Sequence, residues 1–414
     1  MSFRSGPDGR GADGSAPHAS RPSELPRAIW ALGFVSLLMD VSSEMIHGLL
    51  PVFLVTGLGA SGLVVGLVEG VAEATALVVK VFSGVLSDRS GRRKPLALLG
   101  YGLGAASKPL FALAQGVGGV LTARFLDRIG KGLRGAPRDA LVADLVPLSM
   151  RGAAYGLRQA LDAVGAFLGP ALAIGLMQLF QNDFRAVFRF AVVPGALSVL
   201  VLQLGVREPD RRLATSGAVP IRRRELARLP RAYWGVVAIG AAMTLARFSE
   251  AFLVLRAHDA GLALAWTPLV LILVNLVLAA SAYPFGRLAD RVDPRRLLVA
   301  GLLVLLAAEG LLALPPSATS VAAGIALWGL HLGLTQGLLA KLVAESAPEE
   351  RRGTAFGVFN LASGVALLLA SLIAGALWDA RGASATFLAG AAFATLALVG
   401  LGLRRRSAVA RPGA

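Results

Sequence analysis

The sequence predicts an all-helical membrane protein of twelve spans, arranged as two consecutive and similar six-helix halves. Three observations predict this. The chain is 55% hydrophobic and only 16% charged, with mean hydropathy +0.67, whereas soluble domains carry about 25% charged residues. A soluble core of this length could not hide that much apolar surface. Twelve apolar segments also reach the roughly 20 residues that a bilayer demands. Finally, the chain repeats itself: GVLSDRSGRRKPL, Gly84 to Leu96, returns as GRLADRVDPRRLL, Gly286 to Leu298, and ADLVPLSMRGAAYG, Ala143 to Gly156, returns as AESAPEERRGTAFG, Ala344 to Gly357. The offset is 202 from Asp88 to Asp290 and 201 from Gly156 to Gly357. Parallel half-repeats of this size are the architecture of a rocking transporter.

In chain order, residues 1–27 are rich in Gly, Ser, Pro and Arg with no apolar run, so a disordered cytoplasmic extension without a cleavable signal is expected. A six-helix half over 28–206 follows, with segments at about 28–57, 61–86, 95–114, 117–146, 152–179 and 187–206. The polar stretch 207–231 is the linker. The second half, 232–403, has segments at about 232–256, 264–288, 295–314, 317–346, 353–378 and 384–403, and 404–414 is a cytoplasmic tail.

The net charge of +16 would suggest nucleic acid in a soluble protein, but its placement says otherwise. In the loops, 27 Lys and Arg lie on the side of the termini, and only Arg185, Arg189, Arg256 and Arg381 lie opposite. By the positive-inside rule both termini are cytoplasmic. The basic balance is thus a topology signal in a multi-pass protein of the cytoplasmic membrane, with no nucleic-acid partner. With no cysteine, a disulfide framework and thiolate metal sites are excluded.

On these residues the chain resembles the major facilitator superfamily over essentially its whole length after residue 27. Gly84, Asp88, Arg89, Gly91, Arg92, Arg93 and Lys94 match that family's loop between the second and third helices, and Gly286, Asp290, Arg291, Arg295 and Arg296 match its second copy, with Asp293 replacing the second glycine. The resemblance implies a gating latch on the cytoplasmic side, in which Asp88 caps the eleventh helix and Arg92 pairs with an acid at the end of the fourth, here Asp144. A carboxylate at a helix N-terminus is favoured by up to about 1 kcal/mol. Arg93 and Lys94 suit headgroup anchoring better. In the fourth helix, ARFLDRIGKG resembles the motif with a cavity-facing arginine, here Arg124; Asp127 stands where Gln is common and Arg128 where Gly is. In the fifth, Gly165, Gly169 and Pro170 resemble the antiporter motif of exporters, although its closing Gly-Gly pair is Ala173 and Ile174. These small residues would equally let the helix bend and pack against the eighth.

Charges within the spans would cost on the order of 50 kcal/mol facing lipid, so they must face protein or water. At 100° per residue, Arg124, Asp127, Arg128, Lys131, Arg134, Arg138 and Asp139 fall on an arc of roughly 140° of the fourth helix. Glu69, Glu73 and Lys80 share about 40° of the second, and Asp40, Glu44 and His47 about 60° of the first. Arg158 and Asp162 add a pair one turn apart in the fifth, and Arg247 and Glu250 lie in the seventh. Glu44 and His47 also admit a metal-ligand reading, which would need partners elsewhere; no metal site and no cofactor are expected.

The expected function is secondary active transport by alternating access, with no enzymatic activity. The partners are a small-molecule substrate, protons and the lipid bilayer, and a monomer is expected. Proton coupling falls to Asp40 and Glu44, and substrate binding to Arg124, Asp127, Arg128, Lys131, Arg158, Asp162, Arg247 and Glu250. The helix-five motif favours export of a drug or metabolite. The alternative is transport, in either direction, of a small organic anion or metal chelate, and a non-transporting sensor is a third reading. No GxxxxGK[ST] loop is present, so ATP does not drive the process directly.

Overall fold

The structure, a computed structural model, describes residues 25–90, 92–208, 229–289, 291–348 and 351–409. The expected N-terminal extension, most of the linker and the last residues of the tail lie outside them. Twelve long helices follow one another. The first half holds α1 Arg27–His47, α2 Gly62–Ser90, α3 Arg93–Leu113, α4 Val117–Leu145, α5 Arg151–Leu179 and α6 Phe184–Gly205. The second holds α7 Arg231–Ala246, α8 Leu269–Leu288, α9 Pro294–Ala313, α10 Ala318–Ser346, α11 Arg352–Arg381 and α12 Ala383–Val409. Among the described residues, eleven helices are long and apolar enough to cross a membrane by length and composition alone. The exception is α4, whose charged face dilutes its hydropathy; burial of that face against α2 and α3 makes a span of it anyway.

The repeat is visible in three dimensions. Gly100 of α3 packs on Gly130 and Arg134 of α4, and Gly301 of α9, 201 residues on, packs on His331 and Thr335 of α10, each also 201 on. Even the breaks repeat: α1 ends at His47 and resumes as a short helix at Leu50–Val52, while α7 ends at Ala246 and resumes at Ala251–Asp259. The two continuations touch each other across the halves.

One hydrophobic cluster joins the halves on the face opposite the termini, the far face, and runs on through the second half to Leu297, Leu298 and Leu401. At the far face Leu50, Phe53, Val65 and Val68 share it with Phe252, Leu253, Val270 and Trp328. Toward the termini the first half has its own core, built on Ile29, Val35, Tyr101 and Leu141, and the second has another, built on Tyr233, Val343 and Ala355. No described residue of one half belongs to the other's core on that side. Apolar burial is what holds packed helices together, so the molecule is closed at the far face and parted toward the termini.

Helix ends are satisfied locally. Asp183 caps α6 through the amides of Arg185 and Ala186, at 2.9 and 3.1 Å. Asp293, the residue that departs from the repeated glycine, accepts from the Arg295 amide at 2.8 Å and so caps α9. Glu208 does the same for α3 from beyond α6, accepting from the amides of Arg93 and Lys94.

Candidate functional site

The charged face of α4 lies against α2 and α3, where Arg124, Asp127 and Arg128 are paired. Arg124 donates to Glu69 of α2 at 2.7 Å, and both side chains are only 1% exposed. One turn on, Arg128 reaches Glu73 at 3.1 Å and Asp127 at 3.7 Å. Asp127 accepts from Lys108 of α3 at 2.7 Å, and Lys108 also donates to Ser43 of α1 at 3.0 Å. His47 of α1 closes the far end, with Nδ1 at 3.3 Å from Glu44 and Nε2 at 3.8 Å from Glu69. Arg124, Arg128, Lys108, Asp127 and Glu69 thereby each have an opposite charge within reach, the condition under which burial is tolerated.

The ladder continues toward the termini. Arg134 stacks over Tyr101, 5.1 Å from the ring centroid. Arg138 donates to Asp139 at 3.1 Å and to Ser36 at 3.2 Å. Arg158 pairs with Asp162 within α5 and approaches Asp139 at 3.7 Å.

Arg124, Asp127 and Arg128, expected to bind substrate, are at most 2% exposed and are engaged here by Glu69 and Glu73 of α2 and Lys108 of α3. Helical angles could place them on one face, but could not say that α2 and α3 supply their counter-charges. Lys131 is the member of that face that is exposed, and it makes no ion pair with a described residue. Asp40 is half-buried and likewise unpaired, with Glu44, Lys131, Arg134 and Asp162 as its charged neighbours.

The helix-five motif sits directly behind these acids. A Cβ on Gly165 would come within 2.7 Å of the Leu37 carbonyl and 3.0 Å of Asp40 Cβ; one on Gly169 would come within 2.8 Å of Glu44 Cβ and 2.9 Å of the Val41 carbonyl. The glycines therefore seat α5 on α1 at the two carboxylates, and not on α8 as the sequence left open. Pro170 is buried beside them in α5.

Arg247 and Glu250 occupy the break in α7. Both are half-buried, and Glu250 counts His47, Glu44 and Glu73 of the first half among its charged neighbours. Of the other polar points in the second half, Glu309 is fully buried and His331 bonds the Gly301 carbonyl at 2.8 Å. Among the described residues no group of three or more His, Cys, Asp or Glu is arranged to hold a metal ion.

At the expected latch, Asp144 accepts from Arg93. Arg93 is buried and also donates to the Ala140 carbonyl at 2.6 Å, so it is not a headgroup anchor. Gly84 makes only ordinary contact with Ala136, and Gly286 faces open space. The side chain of Asp88 and the whole of Asp290 lie outside the described residues. Two residues that sequence reasoning missed are Glu208, the cap of α3, and Asp379 at the far end of α11. Neither belongs to a repeated motif.

Comparison with known proteins gives a consistent result. The family model described as Major Facilitator Superfamily matches residues 32–277 and 257–413. The chain is 33% identical over 379 residues to the MFS-type transporter MJ1317 of Methanocaldococcus jannaschii, covering 90% of this chain and 94% of that protein. It is 32% identical over 154 residues to the multidrug resistance protein MdtH of Yersinia pestis, 37% of each chain. Among solved structures, a bacterial homologue of the human lysosomal transporter Spinster, inward-facing and occupied, superposes with a TM-score of 0.75 at 19% identity, covering 93% of this chain and 98% of that one.

Proposed function

Because the chain belongs to the major facilitator superfamily, we propose that it is a proton-coupled secondary transporter that exports a small organic solute by alternating access. The observation that carries this reading is Asp40. It is a carboxylate without an ion pair to a described residue that completes the charge balance of the network, and the helix-five glycines hold it in place. Lys108, Arg124, Arg128, Lys131 and Arg134 stand against Asp40, Glu44, Glu69, Glu73 and Asp127, one acid for each cation.

A proton on Asp40 gives such a network one net positive charge, and a bound cationic solute does the same. In a low-dielectric site two such additions repel strongly, so proton and solute exclude each other, which is the requirement for exchange. Basic residues on the termini side support cytoplasmic termini, with the cavity open inward. The short likeness to a multidrug resistance protein points the same way.

Exposed, unpaired Lys131 supports a second reading. With Asp40 protonated, the net charge would instead attract a small organic anion, and proton and substrate would travel together. Proteoliposomes with an imposed pH gradient separate the two, using tetraphenylphosphonium and benzoate as probes. We expect gradient-driven tetraphenylphosphonium flux that Asp40→Asn abolishes while exchange without a gradient persists. Flux that stays coupled to the pH gradient in Asp40→Asn would overturn the assignment of Asp40. Benzoate flux that requires Lys131 would transfer the reading to the anion.

A further inference from the structure

The closed far face has a device that the repeated motifs do not predict. Asp379, near the last turn of α11 in the second half, reaches the first residues of α2 in the first half. Its Oδ1 accepts from the Gly62 amide at 2.6 Å and its Oδ2 from the Leu63 amide at 2.8 Å. The opening turn of a helix carries amides without intrahelical partners and a partial positive charge, and a carboxylate satisfies both. Here the cap comes from the other half of the molecule, 317 residues away from Gly62.

The surroundings make this contact specific. A Cβ on Gly62 would come within 2.9 Å of Asp379 Oδ1 and 3.0 Å of Trp378 Cδ1, so only glycine lets both groups close over the α2 start. Trp378 packs on Phe252, in the continuation of α7, at a ring separation of 5.6 Å. The cap is therefore tied to the break in α7. Below it Ser371 is fully buried in the α2–α11 seam, with its carbonyl against Gly66. At the repeat-related seam between α5 and α8, Gln178 and Ala263 stand 201 residues from Asp379 and Gly62, so no carboxylate is available there.

We propose that Asp379 is the latch of the far face, closing it by capping α2 across the two halves and releasing α2 when that face opens. The cap is exposed at its outer edge, which suits a contact that must break in every cycle. It uses the same helix pair as the expected latch on the termini side, with donor and acceptor helices exchanged, and it does not depend on that latch or on the identity of the substrate.

The test uses the absence of cysteine. Ser371→Cys places a single thiol in the closed seam, and its reaction rate with a maleimide is measured on the full-length protein in detergent, where both faces are accessible. In this background Asp379→Ala should raise the rate about fivefold or more, as expected for loss of a side-chain cap. The near-isosteric Asp379→Asn, which keeps one acceptor, should raise it by less. A second thiol at Ser198, fully buried inside the first half, should stay unreactive in all variants. Unchanged Ser371→Cys labelling in both Asp379 variants would overturn the proposal, and so would an equal rise at Ser198→Cys, which would report unfolding in place of opening.

Discussion

The two halves share a backbone plan and differ in chemistry. At positions related by 201 residues, Arg124, Arg128, Lys131 and Arg134 of α4 correspond to Ile325, Gly329, Leu332 and Thr335 of α10. The buried pair Lys108 and Asp127 corresponds to Glu309 and Trp328. In the first half these two side chains meet at 2.7 Å. In the second, neither the Glu309 carboxyl nor the Trp328 indole N–H has a hydrogen-bond partner among the described residues, and Trp328 packs among Phe248 and its neighbours. The scaffold thus does not require the charges. A fold that is stable with Ile, Gly and Leu on one side carries an ion-pair ladder on the other, and buried ion pairs are poor devices for stability alone. On the reading proposed above, the coupling chemistry belongs to the first half, and the second supplies an apolar wall, the α7 break and the proposed far-face latch.

The largest effect should come from unpairing one of those charges. Asp127→Asn leaves Lys108 buried without a counter-charge, and we expect a loss of about 3–5 kcal/mol, measured by chemical denaturation in detergent. Glu309→Gln, at the repeat mate of Lys108, removes no ion pair and should stay within about 1 kcal/mol of the parent. Equal losses at the two sites would break the contrast drawn between the halves.

An intermediate effect is expected where helices touch. Gly169→Ala would force α5 off α1 beside Glu44, at a cost of about 1–3 kcal/mol typical of overpacking. Its repeat mate Ala370 already carries the methyl, and Ala370→Gly should lose only about 1 kcal/mol. Thermal melts of both variants test this, and a stabilised Gly169→Ala would mean that the close approach to α1 is not required.

The smallest effect concerns a cap. Asp183→Ala removes the acceptor for two amides at the start of α6 and should cost about 1 kcal/mol. Ser384→Ala, at the related position inside α12, should be neutral. A melting curve for each, read against the parent, is enough to check the pair.

Much of this was legible in the chain. The apolar segments match the helices closely because bilayer thickness dictates span length. The repeat offset of 201 recurs in the packing of Gly100 and Gly301, because duplicated sequences bury duplicated faces. The break in α7 at Arg247 was not legible, since its flanks read as one apolar run. Nor was the burial of Arg93, because a basic residue in a loop motif looks like a headgroup contact until Asp144 is brought to it from 51 residues away.

Composition and periodicity alone determined that this chain spans a membrane twelve times in two halves, and that α4 has a charged face which cannot meet lipid. Both are local properties, set by the length of an apolar run and the pitch of a helix. Only the tertiary structure decided which acid answers which base, that Asp40 and Lys131 are left over, that the helix-five glycines serve α1, and that Asp379 caps a helix in the other half. Those outcomes depend on distances between segments far apart in the chain, and counter-charges with several possible partners are assigned only when packing brings one of them within about 3 Å.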